Sequence, residues 1–267
     1  MLKKILNKLT GKPTDWASQA IGRYPFIDPS ENYHLQRVAH DILKKSGGEV
    51  FTGPLAGMKI PLSSPLSYYP LLVVGCYEKE IHDALYEVIA NPPHLMIDIG
   101  SAFGYYTVGL ACKTSNTRFI AFEAEEKVHW EKARELAELN KVAHRIDQLG
   151  YCDFKSLEKV ADEGAFILCD CEGGEMSLLD PEKVPNLSKC HILCEIHEFL
   201  APGVTAKLVD RFSKTHKIKL ISEQARNPKE YRILDNLSEA YKELAVKETR
   251  FHDKKIVSGL FMNLIPL

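Results

Sequence analysis

The sequence predicts an α/β fold, a largely parallel sheet covered by helices on both faces and preceded by a helical and loop-rich segment. Three observations carry this. Residues 94–113, HLMIDIGSAFGYYTVGLACK, read as a strand, a glycine turn and a helix in immediate succession. Apolar runs at 117–122, 165–171 and 191–196 each carry an acidic residue near or just beyond their ends. Charged, helix-period stretches separate these runs, which is the alternation expected of βαβ units and a parallel sheet.

Composition excludes several classes. With 267 residues and 45% hydrophobic content the chain can bury a sizeable core. Its 34 basic and 36 acidic residues nearly cancel, and no single-sign block appears, so nucleic acid is not an expected partner. A small-molecule or glycan substrate fits better. Seven cysteines, scattered singly apart from Cys169 and Cys171, carry no paired C-x-x-C spacing for structural zinc and read as reduced thiols in a cytoplasmic protein. No apolar run approaches the ~20 residues of a transmembrane helix, and residues 1–10 lack a signal-peptide core.

In order along the chain, residues 1–12 place Leu2, Ile5, Leu6 and Leu9 on one helical face, with Lys3, Lys4 and Lys8 on the others. Two readings stand: a weak contact with a membrane surface, or a short helix packed on its own domain. A second amphipathic helix is expected at 32–45, closed by Gly47 and Gly48. Residues 49–70 read as short strands and loops, a lid or substrate wall in which Tyr68 and Tyr69 either touch a sugar or fill space. Residues 71–90 read as one helix, ended by Asn91-Pro92-Pro93. The boundary is placed there, giving an N-terminal helical and lid segment at 1–93 and a ligand-binding domain at 94–267.

The turn after the first strand holds Gly100, Ala102 and Gly104, leaving the amides of a helix N-terminus open to a ligand. It could serve a dinucleotide, a nucleoside triphosphate or S-adenosylmethionine. A dinucleotide fingerprint requires glycines where Ala102 and Tyr105 stand, and no G-x-x-x-x-G-K-[ST] occurs. What remains is D-x-G-x-x-x-G. Glu123 ends the next run, 23 residues beyond Gly100, where a carboxylate can accept both hydroxyls of an adenosine ribose. The loop at 150–153 either touches an adenine through Tyr151 or is plain packing.

Two further strand ends hold ionisable groups: Asp170 and Glu172 after AFILC, and Glu195 and His197 in HILCEIH. Residues two apart on an extended chain share a face, so each pair should present together at the carboxyl edge of the sheet. Glu175, after two glycines, reads as a first-turn helix residue.

The series IDIGSAFGYYTVGLA, FIAFEAEEKVHWEKARELAELN, ILCDCEGGEMSLLD and ILCEIH resembles the FkbM family of S-adenosylmethionine-dependent methyltransferases, in the family's motif order. The likeness spans residues 95–197, and more loosely the lead-in GCYEKE. Ser101, Phe103 and Cys171 depart mildly from the usual residues. The resemblance implies a Rossmann-like class I methyltransferase fold, a mixed seven-stranded sheet with helices on both faces and an N-terminal helical and hairpin appendage. It also implies S-adenosyl-L-methionine as cofactor. As the resemblance implies, Asp98, Gly100, Ala102, Gly104 and Tyr105 would hold its methionine part and Glu123 its ribose; Ser101, Ala124 and, from its place in the loop, Tyr151 are further candidates for cofactor contact. The remaining elements fit: a helix at 204–213 with Val204, Leu208, Val209 and Phe212 inward, a strand at 217–222, a charged helix at 236–250, and a final antiparallel strand at 256–265.

The expected activity is therefore O-methylation of a hydroxyl on a sugar or another polyhydroxylated metabolite. A nicotinamide-dependent oxidoreductase is the competing enzyme class, and a methyltransferase-like binding protein the competing non-enzyme class. Asp170 is the first candidate to accept the acceptor's proton, with Glu172 beside it, and His197, oriented by Glu195 or a loop carbonyl, is the second. These three side chains also permit a divalent cation, but their spacing is not diagnostic and no metal ligand is assigned from sequence.

Overall fold

The computed structural model describes residues 29–248, 250–252 and 255–267; the amphipathic stretch at 1–12 lies outside them. The main strands are β1 (Leu95–Ile99), β2 (Arg118–Phe122), β3 (Ile146–Leu149), β4 (Phe166–Cys169), β5 (His191–Glu195) and β6 (His216–Ser222). A short hairpin, β7 (Arg250–His252) and β8 (Lys255–Val257), precedes β9 (Leu260–Pro266). The seven-stranded sheet has the order β3-β2-β1-β4-β5-β9-β6. Strands β1 to β5 pair in parallel, and β9 inserts antiparallel between β5 and β6.

Strand alternation builds a core on each face. Met96, Phe119, Phe166, Leu168 and Leu193 point to one, while Ile97, Ile99, Ile120, Phe122, Ile167 and Ile192 point to the other. On the first face they meet α4 (Tyr105–Lys113) and α5 (Glu126–Leu139) through Val108 and Leu136. The same cluster takes Val38, Ile42 and Leu43 from α1 (Pro29–Lys45), Val73 from α2 (Pro70–Val74) and Leu85 from α3 (His82–Ala90). The segment before β1 therefore forms part of the sheet's own cover. On the second face lie α6 (Phe154–Val160), α7 (Glu175–Leu178) and α8 (Val204–Phe212), through Leu157, Leu178, Leu208 and Phe212. Each large apolar side chain so buried contributes roughly 1.5–3 kcal/mol. The last helix, α9 (Glu239–Val246), adds Ala245 and Val246 to the first core.

Several expected elements are shorter or interrupted. The helix read over 71–90 breaks at Gly75, which sits at φ 82 as the cap of α2. A Cβ there would lie 2.0 Å from the Thr52 carbonyl oxygen, so chain approach as well as φ requires glycine. The break lets Tyr77 pack against Tyr105 and Tyr106, with ring centroids 6.1 and 6.3 Å apart. The final apolar run divides at Ser258-Gly259: Ile256 and Val257 belong to the hairpin, and only Leu260 onward enters the sheet. The helix read over 236–250 ends at Val246, and Val209, expected inward, is exposed at the edge of α8. Residues 49–60 form one antiparallel bridge, Glu49 with Lys59. Tyr68 packs on His40 with ring centroids 5.2 Å apart, and Tyr69 lies against the first core.

Candidate active site

The strand order reverses between β1 and β4, and their carboxyl ends form the centre of the site. Gly100, at φ 89, leaves β1 so close to its neighbour that a Cβ would sit 1.7 Å from the Asp170 carbonyl oxygen. The Asp170 amide donates to the Ile99 carbonyl at 2.9 Å. The glycine turn and the candidate acid are thus fixed to one another through backbone.

On the β2 side the Gly100 and Ser101 amides both donate to the Phe122 carbonyl, at 2.9 and 3.0 Å. Ala102 adopts φ 44, unusual for a residue with a Cβ, and its amide donates to Glu123 Oε2 at 2.8 Å. Glu123 Oε1 accepts from the Glu125 amide at 2.7 Å and lies 3.1 Å from His129 Nδ1. Burial pushes the Glu123 carboxyl up, but the bonds from His129 and these amides outweigh it and hold it below the usual carboxylate range. A carboxylate has about four lone-pair positions, so Glu123 retains capacity for hydroxyl donors.

Asp98, the acidic residue before Gly100, is buried and accepts from the Thr107 hydroxyl of α4. Burial raises its pKa to about 6 against that hydrogen bond, and the Glu123 charge adds to the rise. Gly104 caps α4 at φ 81. Tyr105 turns its ring into the first core and donates its hydroxyl to the Leu72 carbonyl at 3.2 Å, so its backbone is what faces the turn. Ala124 is exposed, and Tyr151 is 72% exposed in the loop after β3.

The other half of the site comes from the ends of β4 and β5. The strands stop at Cys169 and Glu195, earlier than an extended run through Glu172 and His197 requires. Glu172 and Gly173 curl back at φ 53 and 97. Asp170 and Glu172 therefore meet through a turn and not through strand alternation. His197 Nε2 lies 3.6 Å from Asp170 Oδ1, 3.7 Å from Glu172 Oε2 and 3.9 Å from Glu195 Oε2.

The residue that orients His197 is Glu175, at the first position of α7: His197 Nδ1–H donates to Glu175 Oε1 at 2.7 Å. Sequence alone points to Glu195 or a loop carbonyl for that task and reads Glu175 as a first-turn helix residue. Glu175 is in the first turn, but it is wholly buried and faces the imidazole. Burial lowers the His197 pKa, while the Glu175 bond and the charges of Glu195 and Glu175 raise it and prevail. Burial likewise opposes the Glu175 charge, and the His197 bond turns the net shift downward. For Asp170, burial and then the charges of Glu78 and Glu172 push the carboxyl well above its usual range.

Two contributions were missed from sequence. Thr107 was hidden in an apolar helix, where a lone hydroxyl nine residues past Asp98 was the available signal. Glu78 fell inside the helix read over 71–90, but takes φ 46 and accepts from the Tyr106 hydroxyl, while its amide donates to Glu248 at 3.1 Å. Arg226 lies beside it, with Nη2 at 3.3 Å from Glu80 Oε2 and also paired to Glu248. A cleft of about 1000 Å³ opens on this side, lined by His197's neighbours Ile196 and Phe199 and by Arg226, Glu248 and Leu260.

The sheet order, the antiparallel β9 and the glycine turn at the switch point define a Rossmann-like class I methyltransferase fold. The chain is similar to the human methyltransferase 10 domain containing protein, at 12% identity and a TM-score of 0.50, over 90% of this chain and 98% of that one. It is also similar to an O-methyltransferase from Bacillus cereus solved in complex with SAH, at 14% identity and a TM-score of 0.43, over 93% and 96% of the two chains. No protein-family model matches the chain, and neither does any curated protein. Among the described residues no helix is long and apolar enough to cross a membrane.

Proposed function

We propose that the chain is an S-adenosylmethionine-dependent O-methyltransferase acting on a hydroxyl of a sugar, glycan or other polyhydroxylated metabolite, as its resemblance to the FkbM family implies. The observation that carries the reading is the contact of Gly100 with the Asp170 carbonyl, which seats a glycine turn and Glu123 directly beside a set of strand-end acids. The cofactor, when bound, supplies an electrophilic methyl group on a sulfonium centre. The turn from Gly100 to Gly104 takes its methionine end and Glu123 its ribose, with Ser101 and Ala102 presenting backbone and Ala124 and Tyr151 flanking the adenosine.

The acceptor enters from the cleft beside His197. Its oxygen forms a bond to the methyl carbon as the sulfur–carbon bond breaks, and its proton leaves toward Asp170, Glu172 and His197. Holding the reacting atoms within about 3–3.5 Å supplies much of the acceleration. Dinucleotide chemistry is disfavoured because Ala102 and Tyr105 stand where that fingerprint needs glycine.

Calorimetry with S-adenosylmethionine, S-adenosylhomocysteine and NAD tests the assignment. Both adenosyl ligands should bind and Glu123→Ala should weaken them at least tenfold; preferential binding of NAD overturns it.

A further inference from the structure

The arrangement around His197 has features that an acid–base pair alone leaves unexplained. Its Nδ1–H is committed to Glu175, which fixes the tautomer and leaves Nε2 as the nitrogen directed at the carboxylates of Asp170 and Glu172. Those oxygens lie at 3.6 and 3.7 Å, too far for hydrogen bonds and near the spacing of neighbouring ligands on one ion, about 3–3.5 Å for bonds of 2.0–2.2 Å. One donor atom from each of Asp170, Glu172 and His197 falls within 4.8 Å of the others. Asp170 Oδ1 is buried and has no hydrogen-bond partner among the described residues. The His197 side chain is 6% exposed and the carboxylate behind it, Glu175, is wholly buried, which is the carboxylate–histidine support that metal-binding imidazoles use.

Charge points the same way. Asp170, Glu172, Glu175 and Glu195 each place a carboxyl oxygen within 4 Å of this one imidazole. Glu172 is 76% exposed, so one side of the cluster is open to water and to an incoming oxygen.

We propose that Asp170, Glu172 and His197 bind a divalent cation of the magnesium and manganese class, with Glu175 as the positioning residue for His197. Two carboxylates and one imidazole form an oxygen-rich, non-thiolate donor set suited to such ions. The proposal rests on the methyl-transfer reading for its purpose and takes the place of direct proton acceptance by these three side chains: the acceptor's oxygen would take an open position on the cation, its O–H bond would be weakened, and the proton would pass to water at the exposed edge by Glu172.

The test uses the full chain stripped with chelator and titrated with Mn²⁺, read by electron paramagnetic resonance and calorimetry, alongside calorimetry with S-adenosylhomocysteine. One Mn²⁺ should bind, displaceable by Mg²⁺. Asp170→Asn and Glu172→Gln should each weaken it at least tenfold, and Glu175→Gln roughly tenfold, at unchanged circular dichroism and S-adenosylhomocysteine affinity. Glu172 is exposed, so its variant keeps the test open should Asp170→Asn fold poorly. Absence of Mn²⁺ binding, or binding indifferent to Glu172→Gln, overturns the cation site. Mn²⁺ binding without S-adenosylhomocysteine binding upholds the site and overturns the methyltransferase reading instead.

Discussion

The Nδ1–H of His197, just beyond β5, donates to the carboxylate of Glu175, the first residue of α7, across 2.7 Å with both side chains buried. The bond ties the turn after β4 to the end of β5 and sets which face of the imidazole reaches the open site. Removing one member of such a pair leaves the other charged or unsatisfied away from water. Glu175→Ala should therefore cost about 3 kcal/mol of stability, and Glu175→Gln, which can still accept the bond, clearly less. Urea unfolding of the three proteins checks the order; equal stability of all three would show that the bond contributes nothing.

Gly100 supplies the tightest backbone contact in the site. Gly100→Ala combines a side chain at φ 89 with a Cβ directed at the Asp170 carbonyl, and neither strand tip can retreat without breaking the Asp170 amide bond to Ile99. The expected cost is on the order of 3 kcal/mol or more, together with loss of ligand binding. Gly164→Ala is the control: it has similar φ but nothing within 4 Å, and should cost about 1 kcal/mol. Thermal melts of both variants decide.

How much of this was legible in the sequence follows from the range of the interactions. The strands and the glycine turn were readable because apolar runs such as LMIDI and RFIAF are local signals, and their acidic ends place Glu123 and Asp170 on one edge of any parallel sheet. The interruption at Gly75 was not readable, because its cause is the Thr52 carbonyl, 23 residues earlier in sequence. Glu175 does start a helix, as its i, i+3 surroundings describe, but its pairing was not readable for the same reason: only the fold brings His197 to it. Strand alternation suggested that Asp170 and Glu172 meet. They do, but by way of the turn at Glu172 and Gly173, whose positive φ a strand pattern cannot anticipate.

Asp98 predicts a pH dependence. Its carboxyl titrates near 6 in the folded chain, above its ordinary value of 3.8, because burial disfavours the charge. A raised acid stabilises the fold in full below the unfolded pKa and loses that contribution as pH rises through the folded pKa. Its ionisation should therefore cost stability progressively between about pH 4 and pH 6, reaching about 3 kcal/mol above that window. Asp98→Asn can still accept from Thr107 and does not ionise. Its stability relative to wild type should rise across that window and stay level from pH 7 to 8, as denaturant titrations at fixed pH values will show; a difference that does not change with pH excludes Asp98 as the cause.

The last prediction concerns Arg226, which joins the segment before β1 to the chain after β6. Its guanidinium, 3% exposed, pairs with Glu80 and Glu248, both buried, and donates from Nε to the Cys76 carbonyl at 2.7 Å. The same Glu248 accepts from the Glu78 amide, so Arg226 indirectly holds the turn that carries Glu78 to Tyr106. Arg226→Met preserves much of the side chain's bulk but removes the guanidinium from both carboxylates, and should cost about 3–5 kcal/mol. The triple variant Arg226→Met, Glu80→Gln, Glu248→Gln removes the two carboxylate charges as well and should recover at least half of that loss. Because Glu123 is held by its own contacts with Ala102, Glu125 and His129, adenosyl-ligand affinity should survive in the triple variant. If Arg226→Met is as stable as wild type in urea, the network does not anchor the segment, and Glu78 is held by other contacts, the Tyr106 hydroxyl among them.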